Sequence, residues 1–288
     1  MAQGTDLYRS LDGTSRLREF AFDEQDFTAI STLVKSLTGI NLTRQKRELV
    51  YGRLAVRLRA LGLRTFREYR QVVAEDPQEQ IRLSNAITTN LTAFFREPHH
   101  FEHLRDQVLP THRAQAGERR LRIWSAGCSS GEEAYSIAMT VLEAMPDAPE
   151  RDVRILATDL DSDILATAAL GRYPAERAKG LSDGRLRRFF TEYQDRGHGG
   201  FMVRPEVRGL VTFKQLNLMR PLPMSGPLDV VFCRNTVIYF DKDTQRDLFT
   251  RIAPLQRPGN VLYLGHSESL LSVSTDYQSI GRTTYLRC

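Results

Sequence analysis

The sequence predicts an α/β fold in which a mostly parallel, seven-stranded sheet ends in an antiparallel hairpin and is preceded by an all-α domain. Three observations predict it. Up to about residue 90 the apolar residues recur at helical spacing and no convincing strand occurs. From residue 121 short apolar strands alternate with helices, the pattern of βαβ units. Residues 277–287 then read as two strands joined tightly through Gly281-Arg282. The division expected is a helical domain over 1–90 and an α/β domain over 91–288, with a small antiparallel excursion near 190–210.

In the helical part, Phe27, Ile30, Val34 and Leu37 form one apolar stripe. Between Arg44 and Arg70 nine basic residues (Arg44, Lys46, Arg47, Arg53, Arg57, Arg59, Arg64, Arg67, Arg70) face two acidic ones (Glu48, Glu68). The excess of +7 in this segment is larger than the net charge of the whole chain, +5. Leu49, Leu54, Leu58 and Leu61 give the segment an amphipathic helix with Thr43 as N-cap and Gly62 as stop, so the leucines are expected inside and much of the arginine set outside. Such a face is either solvated or a docking surface for an acidic partner. Thr65-Phe-Arg-Glu68 is a capping box opening the next helix. Asp76-Pro77 breaks that helix, and a further one carries Ile81 and Ile87.

In the α/β part, Leu121–Ser125, Val153–Thr158, Leu210–Leu216, Leu228–Cys233 and Val261–Leu264 read as strands. Gly131–Ala144, Ser162–Leu170 and Asp243–Leu255 read as helices between them. Phe190–Leu210 interrupts the alternation, with Gly197, Gly199 and Gly200 between Tyr193, Phe201 and Val203 suggesting a glycine-rich turn. Ligands of such sheets bind beyond the carboxyl ends of the strands, so the residues there are the candidates for chemistry.

The first strand runs into Ser125-Ala-Gly127-Cys-Ser-Ser-Gly131-Glu-Glu133, a glycine turn into a helix that lacks both the Lys-Ser/Thr of a phosphate-binding loop and the dinucleotide fingerprint. Glu132 and Glu133 would repel a pyrophosphate and favour a cofactor with cationic groups and hydroxyls. The second strand ends in Asp159-Leu-Asp161. Asp159 is placed to accept hydrogen bonds from a ribose diol, and Asp161 to open the next helix. The fourth strand ends in Arg234-Asn-Thr-Val-Ile-Tyr239, and an arginine there suits a carboxylate. His99 and His103 lie one helical turn apart with no third ligand nearby in sequence, so packing or capping is expected of them and no metal site. Cys128, Cys233 and Cys288 have no Cys-x-x-Cys spacing and read as reduced thiols. The opening Met-Ala-Gln-Gly-Thr-Asp is not a signal sequence, and no run of about 18 apolar residues occurs. A cytoplasmic protein without membrane insertion is expected.

Five blocks in this order resemble the CheR family of chemotaxis receptor methyltransferases. They are Thr88-Thr-Asn-Leu-Thr-Ala-Phe-Phe-Arg96-Glu, Trp124-Ser-Ala-Gly-Cys-Ser-Ser-Gly-Glu-Glu-Ala-Tyr-Ser136, Ala157-Thr-Asp-Leu-Asp161, Phe232-Cys-Arg-Asn-Thr-Val-Ile-Tyr-Phe240 and Gly265-His-Ser-Glu-Ser269. The resemblance covers essentially the whole chain. It implies the class I S-adenosylmethionine (SAM)-dependent methyltransferase fold and the esterification of receptor glutamates, with S-adenosylhomocysteine (SAH) as by-product. By the same resemblance Asn90, Thr92 and Arg96 close over the cofactor, and Glu133 and Asp159 are its carboxylate contacts. Asn217 and Leu218 lie beside the adenine, Arg234 and Asn235 near the methionine end, and Tyr239 by the active centre. Arg96 and Tyr239 are the catalytic candidates.

The family further implies that the basic helix 44–61 docks on the cytoplasmic domain of methyl-accepting chemotaxis receptors, and that in some members the inserted three-stranded subdomain, matching 190–210 here, adds a strand to a receptor C-terminal peptide. A monomer suffices for this. Two other readings compete: a non-catalytic SAM-sensing docking adaptor, disfavoured because the matched site residues are all present, and a nucleic-acid methyltransferase, disfavoured by the lack of an Asn-Pro-Pro-type motif.

Overall fold

A computed structural model describes residues 18–114, 120–195 and 198–288. The opening hexapeptide and Gly197, both read above, lie outside them. The chain divides after Thr88 into two units.

The first unit contains α1 (Glu24–Thr38), α2 (Arg47–Leu61), α3 (Phe66–Glu75) and α4 (Pro77–Ile87). Capping boxes at Asp23 and Thr65 start α1 and α3, and left-handed Gly39 and Gly62 end α1 and α2. Phe27, Ile30, Val34, Leu54, Leu58, Phe66, Tyr69, Leu83 and Ile87 form its core.

Two expectations for the basic segment fail. Residues 44–46 form a separate 3-10 turn and Thr43 makes no side-chain cap. Leu49, expected inside, is 41% exposed, because α2 rests on the core through Val50, Leu54, Ala55 and Leu58 and turns Leu49, Gly52 and Val56 outward. The arginines are also less free than charge counting suggests. Arg53 donates to the carbonyls of Ala86, Ile87 and Thr88 at 3.2, 2.7 and 2.7 Å and so caps the C-terminus of α4. Arg57 pairs with fully buried Glu79 at 2.9 and 2.7 Å.

The second unit opens with α5 (His99–His103), which passes through a π turn (Leu104–Val108) into α6 (Leu109–Ala114). The elements β1 (Leu121–Ala126), α7 (Glu132–Ala144), β2 (Val153–Asp159) and α8 (Ser162–Leu170) follow. Next come β3 (Arg172–Pro174), α9 (Ala175–Ala178), α10 (Asp183–Phe189), β4 (Phe190–Asp195), β5 (His198–Val203) and α11 (Pro205–Arg208). The unit ends with β6 (Val211–Gln215), β7 (Val230–Cys233), α12 (Lys242–Ile252), β8 (Val261–Leu264), β9 (Tyr277–Gly281) and β10 (Thr284–Arg287).

Seven strands form one sheet in the order β6-β2-β1-β7-β8-β10-β9. The first five are parallel, and the β9–β10 hairpin closes the edge antiparallel. Alternate residues face opposite layers: Ile123, Ile155, Val230 and Phe232 pack on one side, Trp124, Val231 and Leu262 on the other. The helix expected over 243–255 ends at Ile252 and continues as a 3-10 turn, since Pro254 lacks the N–H donor. No helix among the described residues is long and apolar enough to cross a membrane.

The excursion is a three-stranded antiparallel sheet, β3-β5-β4, and it begins at Arg172 rather than near 190. Gly199 and Gly200 lie in β5, not in the turn. A Cβ on Gly200 would stand 2.3 Å from the Tyr173 carbonyl, so glycine there lets β3 approach.

Candidate active site

The strand order reverses between β1 and β7, because β1 connects outward to β2 and β6 while β7 and β8 extend the other way. The crevice at the carboxyl ends of β1 and β7 is therefore where the topology leaves room for a ligand. Gly127, at φ +84°, begins the loop after β1, and a Cβ there would stand 2.2 Å from Thr236 Oγ1. Only glycine lets this loop cross the segment that follows β7. The N–H groups of Gly127 and Cys128 donate to the Thr158 carbonyl at 2.8 and 2.9 Å, fastening the loop to β2.

Asp159 stands at the end of β2. Its Oδ2 accepts from Ser129 N–H at 2.8 Å and its Oδ1 from Asp161 N–H at 3.0 Å, leaving each oxygen one lone pair. Burial pushes its carboxyl pKa up, and the neighbouring backbone N–H groups of Asp161, Ser129 and Leu160 oppose the shift. Asp161 caps α8 through the N–H groups of Asp163 and Ile164, as its position predicts. Asn90 joins this corner: its side-chain amide donates to Asp161 Oδ2 at 2.8 Å and its carbonyl accepts from Ser129 Oγ at 3.0 Å. Leu216 N–H donates to the Asp159 carbonyl at 2.9 Å, which brings Asn217 and buried Leu218 alongside.

A second corner centres on Arg234, which is 4% exposed. Its guanidinium donates to Glu133 Oε2 at 3.1 Å and to the Arg96 carbonyl, and pairs with Glu97 Oε2 at 3.2 Å. Glu133, at the start of α7, also accepts from Ser125 Oγ at 2.7 Å, and burial pushes its pKa up while Arg234 opposes. The arginine expected to clamp a carboxylate thus already has two carboxylate partners from the chain itself. Its buried Nε is left without an acceptor. Glu132 turns away from Glu133, toward Ser130 Oγ at 2.6 Å and Arg177 at 3.2 Å.

Arg96 and Thr92 are half-buried, and the Arg96 guanidinium donates to the Leu91 carbonyl at 3.0 Å. Asn235, at φ +57°, donates its N–H to Glu268 Oε2 at 2.8 Å. Tyr239 is half-buried on a 3-10 turn over 237–239.

Three groups escape the sequence reading. Glu97 forms an ion pair with Arg234 at 3.2 Å, accepts from His266 N–H at 3.2 Å, and lies 2.8 Å from His266 Nδ1. Glu268 gathers the N–H groups of Asn235, Val237, Ile238 and Gly265. Ser129 links Asn90 to Asp159. Glu97 and Glu268 both sit inside motif blocks, which is the signal that could have found them. His99 and His103 make packing contacts, to the Arg282 carbonyl at 3.2 Å and the Tyr263 hydroxyl at 2.8 Å. Among the described residues, Glu97, His99 and His100 bring potential ligand atoms within 4.8 Å of one another, with the Glu97 carboxylate already compensated by Arg234.

Residues 90–286 match the CheR methyltransferase SAM binding domain, and residues 25–88 match the CheR methyltransferase all-alpha domain. The chain belongs to the CheR methyltransferase family. Over 258 residues it is 45% identical to a probable chemotaxis protein methyltransferase of Rhizobium etli, covering 88% of this chain and 96% of that protein. It is 43% identical over 271 residues to chemotaxis protein methyltransferase 2 of Pseudomonas aeruginosa, covering 93% and 95%. It is 40% identical over 278 residues to the chemotaxis protein methyltransferase of Escherichia coli, covering 96% and 94%.

The family's cofactor is SAM, and the residues present fit it. Asp159 offers free lone pairs of the kind a ribose diol needs, Glu133 supplies a buried negative charge, and the unpartnered Nε of Arg234 adds a donor. The expected α/β methyltransferase fold with its terminal hairpin and all-α domain is therefore the fold of this chain.

Proposed function

We propose that this chain transfers the methyl group of SAM to glutamate side chains of bacterial chemoreceptors, forming glutamyl methyl esters, at the carboxyl rim of β1, β2 and β7. The observation that carries the proposal is the meeting of Asp159, Glu133 and Arg234 at the sheet's switch point in a chain of this family. When bound, SAM supplies an electrophilic methyl on its sulfonium. A glutamate with an ordinary pKa of about 4.3 is ionised at neutral pH, so the protein needs no strong general base.

What the chain contributes is placement, from which positioning alone can yield several kcal/mol. Asp159 receives ribose hydroxyls, with Asn217 and Leu218 flanking the base. Glu133, Arg234 and Asn235 hold the methionine end. Asn90 and Thr92 cover the site through the contact of Asn90 with Asp161. Arg96 orients the incoming carboxylate and Tyr239 shapes the pocket beside it. Arg96→Ala is expected to remain folded and to lose methyl transfer by at least a hundredfold; near-normal turnover would remove that role.

The first unit serves as the receptor-docking domain. With Arg53 and Arg57 turned inward, the outward face of α2 presents Leu49, Gly52, Val56 and Ala60 beside exposed Arg44, Arg59 and Arg64. That surface suits an amphipathic acidic helix better than charge alone would. In the second unit β4 is an edge strand, and a cavity of ≈ 540 Å³ beside it is lined by Leu186, Arg187, Phe190, Glu192, Phe201 and Arg204. An extended receptor C-terminal peptide would add to this edge and seat side chains in the cavity.

The protein acts as a cytoplasmic monomer, without nucleic acid. Incubating it with radiolabelled SAM and receptor-containing membranes should give base-labile label on the receptors, and label that resists base would refute ester formation.

A further inference from the structure

The turn that carries Arg96 is strained on both sides. Phe95 and Glu97 have φ of +52° and +56°, and Asn235, which follows Arg234, has +57°. Left-handed backbone at non-glycine residues persists only where surrounding contacts enforce it. Ser136 Oγ holds the first side, accepting from Phe95 N–H at 2.9 Å. The second side is held by the Glu97 side chain, whose two oxygens face in different directions. Oε1 accepts from His266 N–H at 3.2 Å, lies 2.8 Å from His266 Nδ1 and stands 3.5 Å from Asn235 Nδ2. Oε2 pairs with Arg234 at 3.2 Å and faces His100 Nδ1 at 3.7 Å. One carboxylate therefore ties the loops after β7 and β8 to the turn that presents Arg96.

We propose that Glu97 is a positioning residue for methyl transfer: its clamp on Arg234, Asn235 and His266 sets the spacing between the Arg96 turn and the cofactor-binding rim. This rests on the methyltransferase reading above. Arg234 is shared between Glu133 and Glu97, so removing Glu97 lets the guanidinium fall toward Glu133 and frees the Arg96 carbonyl it supports. Burial raises the Glu97 pKa, yet the His266 hydrogen bond and the Arg234 charge bring it down to about 2. The Glu97 carboxylate is accordingly ionised, and able to pair with Arg234, at neutral pH. His100 braces it from behind. Its Nε2 lies 2.9 Å from the Arg282 carbonyl in the β9–β10 turn, where Arg282 and Thr283 are themselves left-handed.

The test compares wild type with Glu97→Gln, Glu97→Asp and Glu97→Ala for SAH affinity by calorimetry, for KM and kcat with SAM and receptor membranes, and for Tm. Glu97→Gln should raise the SAH Kd and the SAM KM at least tenfold with the folded fraction unchanged. Glu97→Asp should recover part of the loss seen in Glu97→Ala. A folded Glu97→Gln with Kd and KM within twofold of wild type would overturn the proposal, as would a lowered Tm with KM and kcat per folded molecule unchanged. Should the Glu97 variants not fold, His266→Ala removes one arm of the clamp from an exposed side chain; it must raise the SAH Kd at least threefold, and an unchanged Kd would overturn the proposal. Wild type that binds SAH without transferring label would refute the methyltransferase reading instead, leaving the role of Glu97 to the SAH affinities.

Discussion

Replacing Asp159 with Asn tests the cofactor corner most directly. Asp159 already accepts one backbone N–H on each oxygen, so as a carboxylate it keeps two lone pairs for hydroxyls. Asparagine has one carbonyl oxygen, and its NH₂ must face the N–H of either Ser129 or Asp161. The mismatch weakens the loop in the free and bound protein alike and largely cancels in affinity. What does not cancel is the loss of charge-assisted bonds to the diol, about 2–3 kcal/mol in total. That corresponds to a roughly 30- to 140-fold rise in Kd. Calorimetry with SAH reads it, and a thermal melt confirms folding. Since burial raises the Asp159 pKa, acidification should weaken binding from a higher pH than an ordinary aspartate would set. A folded Asp159→Asn protein binding SAH within threefold of wild type would refute the ribose role.

Glu79→Ala should destabilise the first unit by about 3 kcal/mol, because Arg57 and the Tyr69 hydroxyl lose their common buried partner; urea unfolding followed by circular dichroism measures it, and a loss under 1 kcal/mol would contradict the account. Val56→Glu, on the outward face of α2, should lower receptor methylation at least fivefold while the SAH Kd stays unchanged; equal methylation rates would remove α2 from the docking surface. Stability should also fall on acidification. Burial and the nearby Arg234 charge lower the His100 pKa from 6.5 to about 3, and Glu97 is lowered from 4.5 to about 2. Both groups bind protons more readily unfolded, so their contribution is complete above pH 6.5 and 4.5 respectively and is lost as pH falls toward those folded values. His100→Gln should flatten the decline between pH 6.5 and 4.5, and an unaltered slope would show that His100 is not its source.

Strands and helices of the second unit were legible because both sheet faces are buried, which writes continuous apolar runs into β7 and β8 and shorter ones, after an arginine at the second position, into β1 and β2. Asp161 was legible as a cap because the signal is local. β3 was not, since three residues ending in proline carry no periodicity and depend on pairing with residues of β5 that lie 26 to 30 positions away. The arginines of the basic segment misled for a related reason. Whether Arg53 and Arg57 face solvent depends on carbonyls and a glutamate in α4, which no spacing within α2 reveals. Arg234 was correctly placed at the rim, but its two glutamate partners come from distant segments, so its buried, paired state could not be read from its own motif.

The histidine contact to the Arg282 carbonyl joins residues 182 positions apart. During synthesis the domain is made from its N-terminal side, so the rim segment emerges long before the hairpin that braces it. Until that hairpin leaves the ribosome and docks, His100 has no carbonyl to hold. Nascent chains arrested before residue 277 should therefore carry the early strands yet lack a finished catalytic edge, which delays the onset of activity until the β9–β10 hairpin has been made.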